Sequence, residues 1–560
     1  MSMTFSWISI ITGSLIFLAI SLKFLFNKVF PRKSNVPTLP RVRTLLPFGI
    51  DYITRGIIYN SSNKNLLFWD ELFTAHYPFK TLEIRLGPQT VITTRDPENV
   101  KALLTTQFGE FGKGERFHQE WKEFLGDAIF TTDGEKWHAS RALIRPIFSR
   151  ERVSDLSTFE IHTQKLLRIL DSPGCEQQPV NAFDLCLRLT MDIATDFLLG
   201  ASVNSLANPA DKFTAAFADV QRVQSWITMA GQVSKALPLQ GFLFKDTYRN
   251  GLDTVNSFVK PFIMRTLALP RDEVEAIARS DKGYNFVTAL AAFTRDPKMI
   301  RDQLISVLLA ARDTTAATLA WTLYELSGRP EIVKHLREEI LETVGLVATA
   351  TYADLKNMRY LQAILKETLR LYPAIPFNMR AALSDTTLPR GGGPQGDLPV
   401  HIKKDTLVAY SPLYMQRRSE LYPATYPDGT PFPDPSQYTP ERWIYSGVAG
   451  KESKAANKAD SNYNPTVPAQ VDNHGVYESG LLSSEAPWIP KPWTYIPFNG
   501  GPRICIGQQF ALAEMGYTLV KIFQKYSRLE RRMKEEDCDV MRANIVLTPA
   551  RGITVVFLKN

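Results

Sequence analysis

Pro497–Glu514 reads PFNGGPRICIGQQFALAE, and its one cysteine, Cys505, stands among Phe498, Gly501, Arg503 and Gly507. This pattern suits a particular chemical task. A lone thiolate that ligates haem iron needs a loop that curls around the sulfur and donates backbone N–H groups to it. Glycines let such a loop approach a metal with no Cβ in the way. Phe498 would shield the sulfur from water, and Arg503 would pair with a haem propionate. A thiolate in this position pushes electron density toward iron and favours O–O cleavage. The plain alternative is a buried cysteine in a glycine-rich turn, so the rest of the chain has to decide.

The loop resembles the haem-binding loop of the cytochrome P450 superfamily. That resemblance implies a mainly α fold with small β-sheets and a non-covalent haem b bound through the Cys505 thiolate. Three further constellations follow in the order it requires. Trp137 and Arg141 lie in FTTDGEKWHASRALIRPIF, where positions i and i+4 share a helical face, so both side chains can reach the haem propionates; His138 between them reads as a surface residue. AARDTT, Ala310–Thr315, interrupts a long apolar helix, and polar groups there are costly unless they have a task. Cleaving dioxygen consumes two protons: Thr314 is expected to position a proton or water at the oxygen, and Asp313 to relay from solvent. Threonine back-bonding would let this helix open locally. Glu367 and Arg370 share a helix face in LKETLRLYP, and Arg442 in YTPERW would complete a buried ion network. These three lock the scaffold and take no part in chemistry.

Composition agrees with a large globular enzyme. The chain has 560 residues, 44% hydrophobic and 22% charged, with a net charge of +8. Its four cysteines, Cys175, Cys186, Cys505 and Cys538, form no CxxC pair and support neither a disulfide framework nor a zinc site. No basic stripe with interleaved aromatics marks a nucleic-acid surface. The modest positive charge suits an acidic redox partner or anionic lipid better.

Residues 1–22 carry no charged side chain, and Lys23, Lys28, Arg32 and Lys33 follow them. A cleaved signal peptide would place its positive charges first. The order here reads as an N-terminal membrane anchor over 1–30 with a cytosolic catalytic domain, and the resemblance places it in the endoplasmic reticulum. Prolines 31, 37, 40 and 47 stiffen a linker over 31–49. The haem-thiolate domain is expected over 50–560. Leu82–Thr94 alternates like a hairpin, and Arg150–Leu170, Val180–Leu199 and Asp211–Met229 read as amphipathic helices. Residues 446–485 are poor in large apolar side chains and read as a surface insertion, either a functional elaboration or a retained intron.

Several stretches, among them LRLYPAIPFNMRAALSDTTLPRGGG and MQRRSELYP, resemble the fungal P450s that hydroxylate n-alkanes and fatty acids. The resemblance makes Arg380 another propionate partner. Ala374–Phe377, Val307, Leu308, Phe217, Trp226 and Leu547 are candidate pocket walls, each equally able to be plain core. The chain departs from the pattern at Ala311, where glycine is usual, and at Gln416, where histidine is common. Ala310 occupies the place of the glutamate that esterifies haem in some animal relatives, so no ester link is expected. The implied partners are O2, a lipophilic substrate, the membrane and a separate NADPH-dependent reductase, since no flavin or nicotinamide domain follows the loop. Hydroxylation of a long aliphatic chain is the first expectation. A tailoring oxidase of an alkyl polyketide or terpenoid is the alternative, because one pocket chemistry serves both. A haem-dependent isomerase or a non-catalytic haem carrier would have no use for Asp313 and Thr314.

Overall fold

The computed structural model describes residues 38–86, 89–233, 245–280, 284–426, 429–444 and 488–559. The anchor over 1–30, residues 31–37 of the linker and the 446–485 insertion lie outside the described residues. Among the described residues no helix is long and apolar enough to cross a membrane.

The elements that place the site are, in chain order, α1 (Gly114–Leu125), α2 (Gly134–Ile144), α3 (Ser157–Leu170), α4 (Ala182–Leu199), α5 (Lys212–Val233), α6 (Lys245–Ala268), α7 (Pro297–Ser327), α8 (Arg359–Leu371) and α9 (Gln508–Lys525). The organising element is α7, 31 residues long. Its start is written in sequence: the Asp296 side chain accepts from the Lys298 N–H at 2.8 Å, and Pro297 fills a position that needs no donor. Its apolar residues are covered on two sides. Ala316, Leu319, Trp321 and Leu323 enter one buried cluster with α4, α8 and α9, and Ile300, Leu304 and Leu308 enter a second with α1, α5 and α6. An α helix with no wet face is a spine rather than a surface helix.

The expected stretch Arg150–Leu170 is in fact two helices, Arg150–Val153 and α3, separated by a break at Ser154–Leu156. Asp155 makes that break, since its carboxylate accepts from the Ser157 N–H at 2.9 Å and caps the second segment. The hairpin is confirmed: β1 (Thr81–Leu86) pairs antiparallel with β2 (Gln89–Thr94). Three strands that the sequence reading did not single out complete the sheet, β3 (Phe111–Gly112), β4 (Asn378–Ala382) and β5 (Leu407–Tyr410), in the order β1-β2-β5-β4-β3. Only β2–β5 is parallel. Smaller sheets of two or three strands lie elsewhere, giving a mainly helical molecule with small sheets.

Candidate haem site

Cys505 sits between a short helical turn, Gly501–Arg503, and the N-terminus of α9. The turn is closed by backbone hydrogen bonds, the Cys505 N–H donating to Phe498 O at 3.0 Å and the Ile504 N–H to Gly501 O at 3.0 Å. Gly501 has φ +65°, and a Cβ there would lie 1.8 Å from Leu104 O, so no other residue fits. At Gly507 the backbone is ordinary, and an added Cβ would meet only Phe148, at 3.8 Å. The protein itself therefore gives no reason for that glycine.

Cys505 keeps accessible surface, unlike the buried Cys186. Its side chain faces open space beside the loop and not packed core. Cys186 shows the contrast: it is sealed among Leu185 and Leu189, and burial pushes its thiol up to about 12. Burial raises the Cys505 thiol too, but there the Gly507 N–H and the Arg141 guanidinium pull the other way. Both favour the thiolate, and a metal cation on the sulfur would complete the deprotonation.

The cations around this loop are the second feature. Arg141 donates to Ile504 O at 3.1 Å, which ties α2 to the cysteine loop. Arg503 donates to Thr132 O at 2.8 Å and to Asp133 Oδ1 at 2.6 Å, and its guanidinium lies 4.6 Å from the centre of the Trp137 ring. Trp137 is buried against Phe108. Arg380, on β4, is 2% exposed, and among the described residues its side chain donates to Asn378 Oδ1 and Met379 O. The Nε atoms of Arg380 and Arg503 are both buried without a partner. Phe498 is half-buried beside the loop.

The sequence reading missed a fourth cation. Lys113 follows β3, and the pairing of β3 with β4 brings it near Arg380. Burial, Arg380 and Arg503 push its ammonium well below the usual lysine range, with Asp133 opposing. Burial likewise brings Arg503 down to about 10, with Arg380 and Arg141 adding to it. Asp133 is already occupied, accepting from the Lys113 and Gly114 N–H groups as well as from Arg503. Arg503 pairs with the engaged Asp133 carboxylate, and Lys113, Arg380 and Arg141 lie in the same field, an arrangement short of negative charge. A porphyrin with two propionates supplies what is lacking, and the accessible thiol, the spare guanidinium donors and Gly507 all suit that group. No motif spacing marks Lys113; only the strand pairing reveals it.

Asp313 and Thr314 lie mid-way along α7. Thr314 Oγ1 donates to Ala310 O at 2.6 Å, and the pattern repeats at Thr318 and Thr322. The expected local opening is absent: α7 is α-helical through Ala310–Thr315, with the Thr314 back-bond in place. Asp313 Oδ2 accepts from Gln221 Nε2 at 2.6 Å, and its Oδ1 lies 3.2 Å from Arg312 Nη1.

The scaffold network forms as expected. Glu367 takes two hydrogen bonds from Arg370 at 2.8 Å, one from Arg442 Nε at 2.9 Å, and one each from the Thr439 N–H and Trp443 Nε1 at 2.9 Å. Burial works against its charge, but Arg370 and Arg442 overcome this and hold its carboxyl below the usual glutamate range. Gln416 is part of the same frame. Its amide donates to Leu369 O and Arg370 O, each at 3.0 Å, and accepts from the Ile496 N–H at 2.9 Å. It therefore joins the end of α8 to the segment entering the cysteine loop.

The candidate walls divide. Phe217 is sealed in an aromatic cluster with Phe124 and Phe213, Trp226 is 56% exposed, and Phe377 stacks on Trp69 at 5.4 Å. Phe217 is core because α5 packs that face against α1. Leu547 is buried, and its N–H donates to Ala374 O at 2.9 Å, which places those two candidate segments side by side.

Comparison with known proteins agrees with this geometry. The cytochrome P450 family model matches residues 56–457 and 483–557. A cytochrome P450 monooxygenase, pvhE of Talaromyces variabilis, is 43% identical over 92% of this chain and 89% of its own length. Cytochrome P450 52A1 of Candida tropicalis is 35% identical over 89% of this chain and 85% of its own. A crystal structure of the cytochrome P450DA heme domain superposes with a TM-score of 0.71 at 20% identity, covering 94% of this chain and 98% of that one, and shows the fold. The chain belongs to the cytochrome P450 family, as a monooxygenase whose cofactor is haem b held by a cysteine thiolate.

Proposed function

We propose that this enzyme inserts one atom of O2 into a C–H bond of a long aliphatic chain, an n-alkane or fatty acid, with electrons from a separate NADPH-dependent reductase. The balance is RH + O2 + NADPH + H⁺ → ROH + H2O + NADP⁺. The observation that carries the reading is the accessible Cys505 thiol, with the Gly507 N–H and Arg141 favouring its thiolate, in a chain that matches Cytochrome P450 52A1 over nearly nine-tenths of its length. For the substrate the support is the resemblance of LRLYPAIPFNMRAALSDTTLPRGGG and MQRRSELYP to the fungal alkane and fatty-acid hydroxylases.

When bound, the haem supplies the oxygen-activating iron centre. Cys505 provides its thiolate ligand, with the Gly507 N–H and Arg141 stabilising the sulfur's charge. Arg380, Arg503, Arg141 and Lys113 hold the propionates; Trp137 supports Arg503 from beneath, and Phe498 keeps water from the sulfur. Thr314 holds a proton or water at the substrate side of α7, and Asp313 relays protons to it from solvent. Ala311 adds a methyl group to the same helix face, where it narrows the groove and restricts which carbon is presented.

A second reading, tailoring oxidation of an alkyl-bearing polyketide or terpenoid, is favoured by one observation. Identity to the Talaromyces monooxygenase, 43%, exceeds the 37% to Cytochrome P450 52A13 of Debaryomyces hansenii and the 35% to Cytochrome P450 52A1. Spectral titration of the ferric enzyme separates the two. A low-to-high-spin shift that tightens with fatty-chain length supports the aliphatic reading; silence toward lipids with a shift for a cyclic metabolite replaces it with the second. We further assign residues 1–30 to a membrane anchor that keeps the catalytic domain on the cytosolic face of the endoplasmic reticulum, supported by the uncharged run followed by lysines and arginine.

A further inference from the structure

Gln221 lies on α5, far in sequence from the polar turn of α7, yet its amide makes contact with both charged residues of that turn. Nε2 donates to Asp313 Oδ2 at 2.6 Å, and Oε1 accepts from Arg312 Nη1 at 3.3 Å. Arg312 and Asp313 are themselves 3.2 Å apart, so the three side chains close a ring. The amide's orientation follows from its partners, since a carboxylate only accepts and a guanidinium only donates. Arg312 is largely buried, and its backbone carbonyl is held by Thr190 Oγ1 of α4 at 2.9 Å. The cation is therefore anchored to the helix bundle, and Gln221 is the member of the ring that belongs to a different layer.

One turn along α5, Gln224 makes a parallel contact. It is fully buried, donates to Glu120 O of α1 at 2.9 Å, and accepts from Tyr248 of α6 at 2.6 Å. Positions 221 and 224 share a helical face. That face thus docks α5 on α1 and α6 through one glutamine and on Asp313 through the other.

We propose that Gln221 is a positioning residue, coupling the seating of α5 over α7 to the orientation of Asp313. With α5 seated, the amide holds the Asp313 carboxylate beside the Thr314 turn. With α5 displaced, the carboxylate keeps only Arg312 and turns away from that turn. Proton delivery is then available only while α5 covers the site, which protects the enzyme from spending reductant on O2 with no substrate enclosed. This inference rests on Asp313 acting as the relay acid.

The test uses the full-length, haem-loaded enzyme with its reductase, comparing Gln221→Ala, Gln221→Glu, Asp313→Asn and the Gln221→Ala/Asp313→Asn double variant. Each is first shown to give the thiolate signature of the reduced carbon-monoxide complex, which establishes that the haem site is folded. Gln221→Ala should raise peroxide formed per NADPH severalfold and increase the solvent isotope effect on product formation. Gln221→Glu, which cannot donate to a carboxylate, should do the same. The double variant should leak no more than Asp313→Asn alone, because both changes remove one coupled function. Independently of turnover, hydrogen exchange of amides 212–229 should rise in Gln221→Ala and in Asp313→Asn, since coupling is reciprocal. A tight Gln221→Ala beside a leaking Asp313→Asn overturns the positioning role. An Asp313→Asn that does not leak removes the relay reading itself, and the inference with it, a different failure from the first.

Discussion

Cys505 differs from the buried thiol Cys186 in what it faces, and that difference sets its chemistry. Cys186 meets packed side chains, whereas Cys505 is accessible and has the Arg141 cation and the Gly507 N–H beside it. Cys505→Ser should abolish the thiolate signature of the reduced carbon-monoxide complex while leaving the helical circular dichroism intact. Thr314→Ala should keep that signature but divert reducing equivalents to peroxide. Asp313→Asn should slow product formation by about 10²-fold, the lower range for a positioned proton donor, as read by steady-state turnover. Lys113 carries a prediction with two signs. Lys113→Met should weaken haem retention by roughly 10- to 100-fold, the ~1.5–3 kcal/mol of a charged hydrogen bond, measured by transfer to apomyoglobin. The same change should raise the melting temperature of the haem-free protein. There Lys113 is a confined cation whose folded pKa lies below its unfolded value. Stability of the haem-free form should accordingly increase as pH rises from that lowered pKa to the ordinary lysine value, and the substitution should flatten the rise.

The ion network at the end of α8 works at the scale of elements. Glu367 receives Arg370 from its own helix and Arg442 from the segment Pro440–Trp443, and all three are fully buried. Removing one partner of such a network leaves charge without compensation, at a cost of about 3–5 kcal/mol. Glu367→Gln should therefore lower stability by that amount, checked by denaturant unfolding of the holoprotein. The pH dependence has a definite sign. The folded pKa of Glu367 lies below the ordinary value, so its contribution is complete above the unfolded glutamate pKa, near about 4.3. It is lost as pH falls through the folded value, and haem release on acidification should follow it. Gln416 adds a link that does not titrate in this range, because its side chain is an amide. ExxR and PERW were legible as a network from spacing and order, but the role of Gln416 was not. Its partners are two backbone carbonyls and one backbone N–H, groups that no side-chain pattern encodes.

At the scale of the whole molecule, α7 divides two apolar cores and carries the polar turn between them. The net charge of +8 bears on partners more than on fold. If the reductase docks electrostatically, raising ionic strength should slow reduction of the haem while leaving substrate affinity unchanged, as stopped-flow spectroscopy would show. Deleting residues 1–30 should shift the enzyme from the membrane pellet to the supernatant with the thiolate signature retained. Retention in the pellet would mean that another surface binds lipid.

The sequence alone was enough to identify the cysteine loop, the Glu367–Arg370–Arg442 network and the mainly helical class. Each is a local pattern in which residue type and spacing state the chemistry. The tertiary structure decided what no spacing carries: that Lys113 stands beside Arg380 because β3 pairs with β4, that Phe217 turns into core, and that Gln221 reaches Asp313 across 92 residues. Those relations depend on how separate elements stack. Burial, the charge left uncompensated and the partner of a polar side chain are properties of packing, and they exist only once distant segments have been brought together.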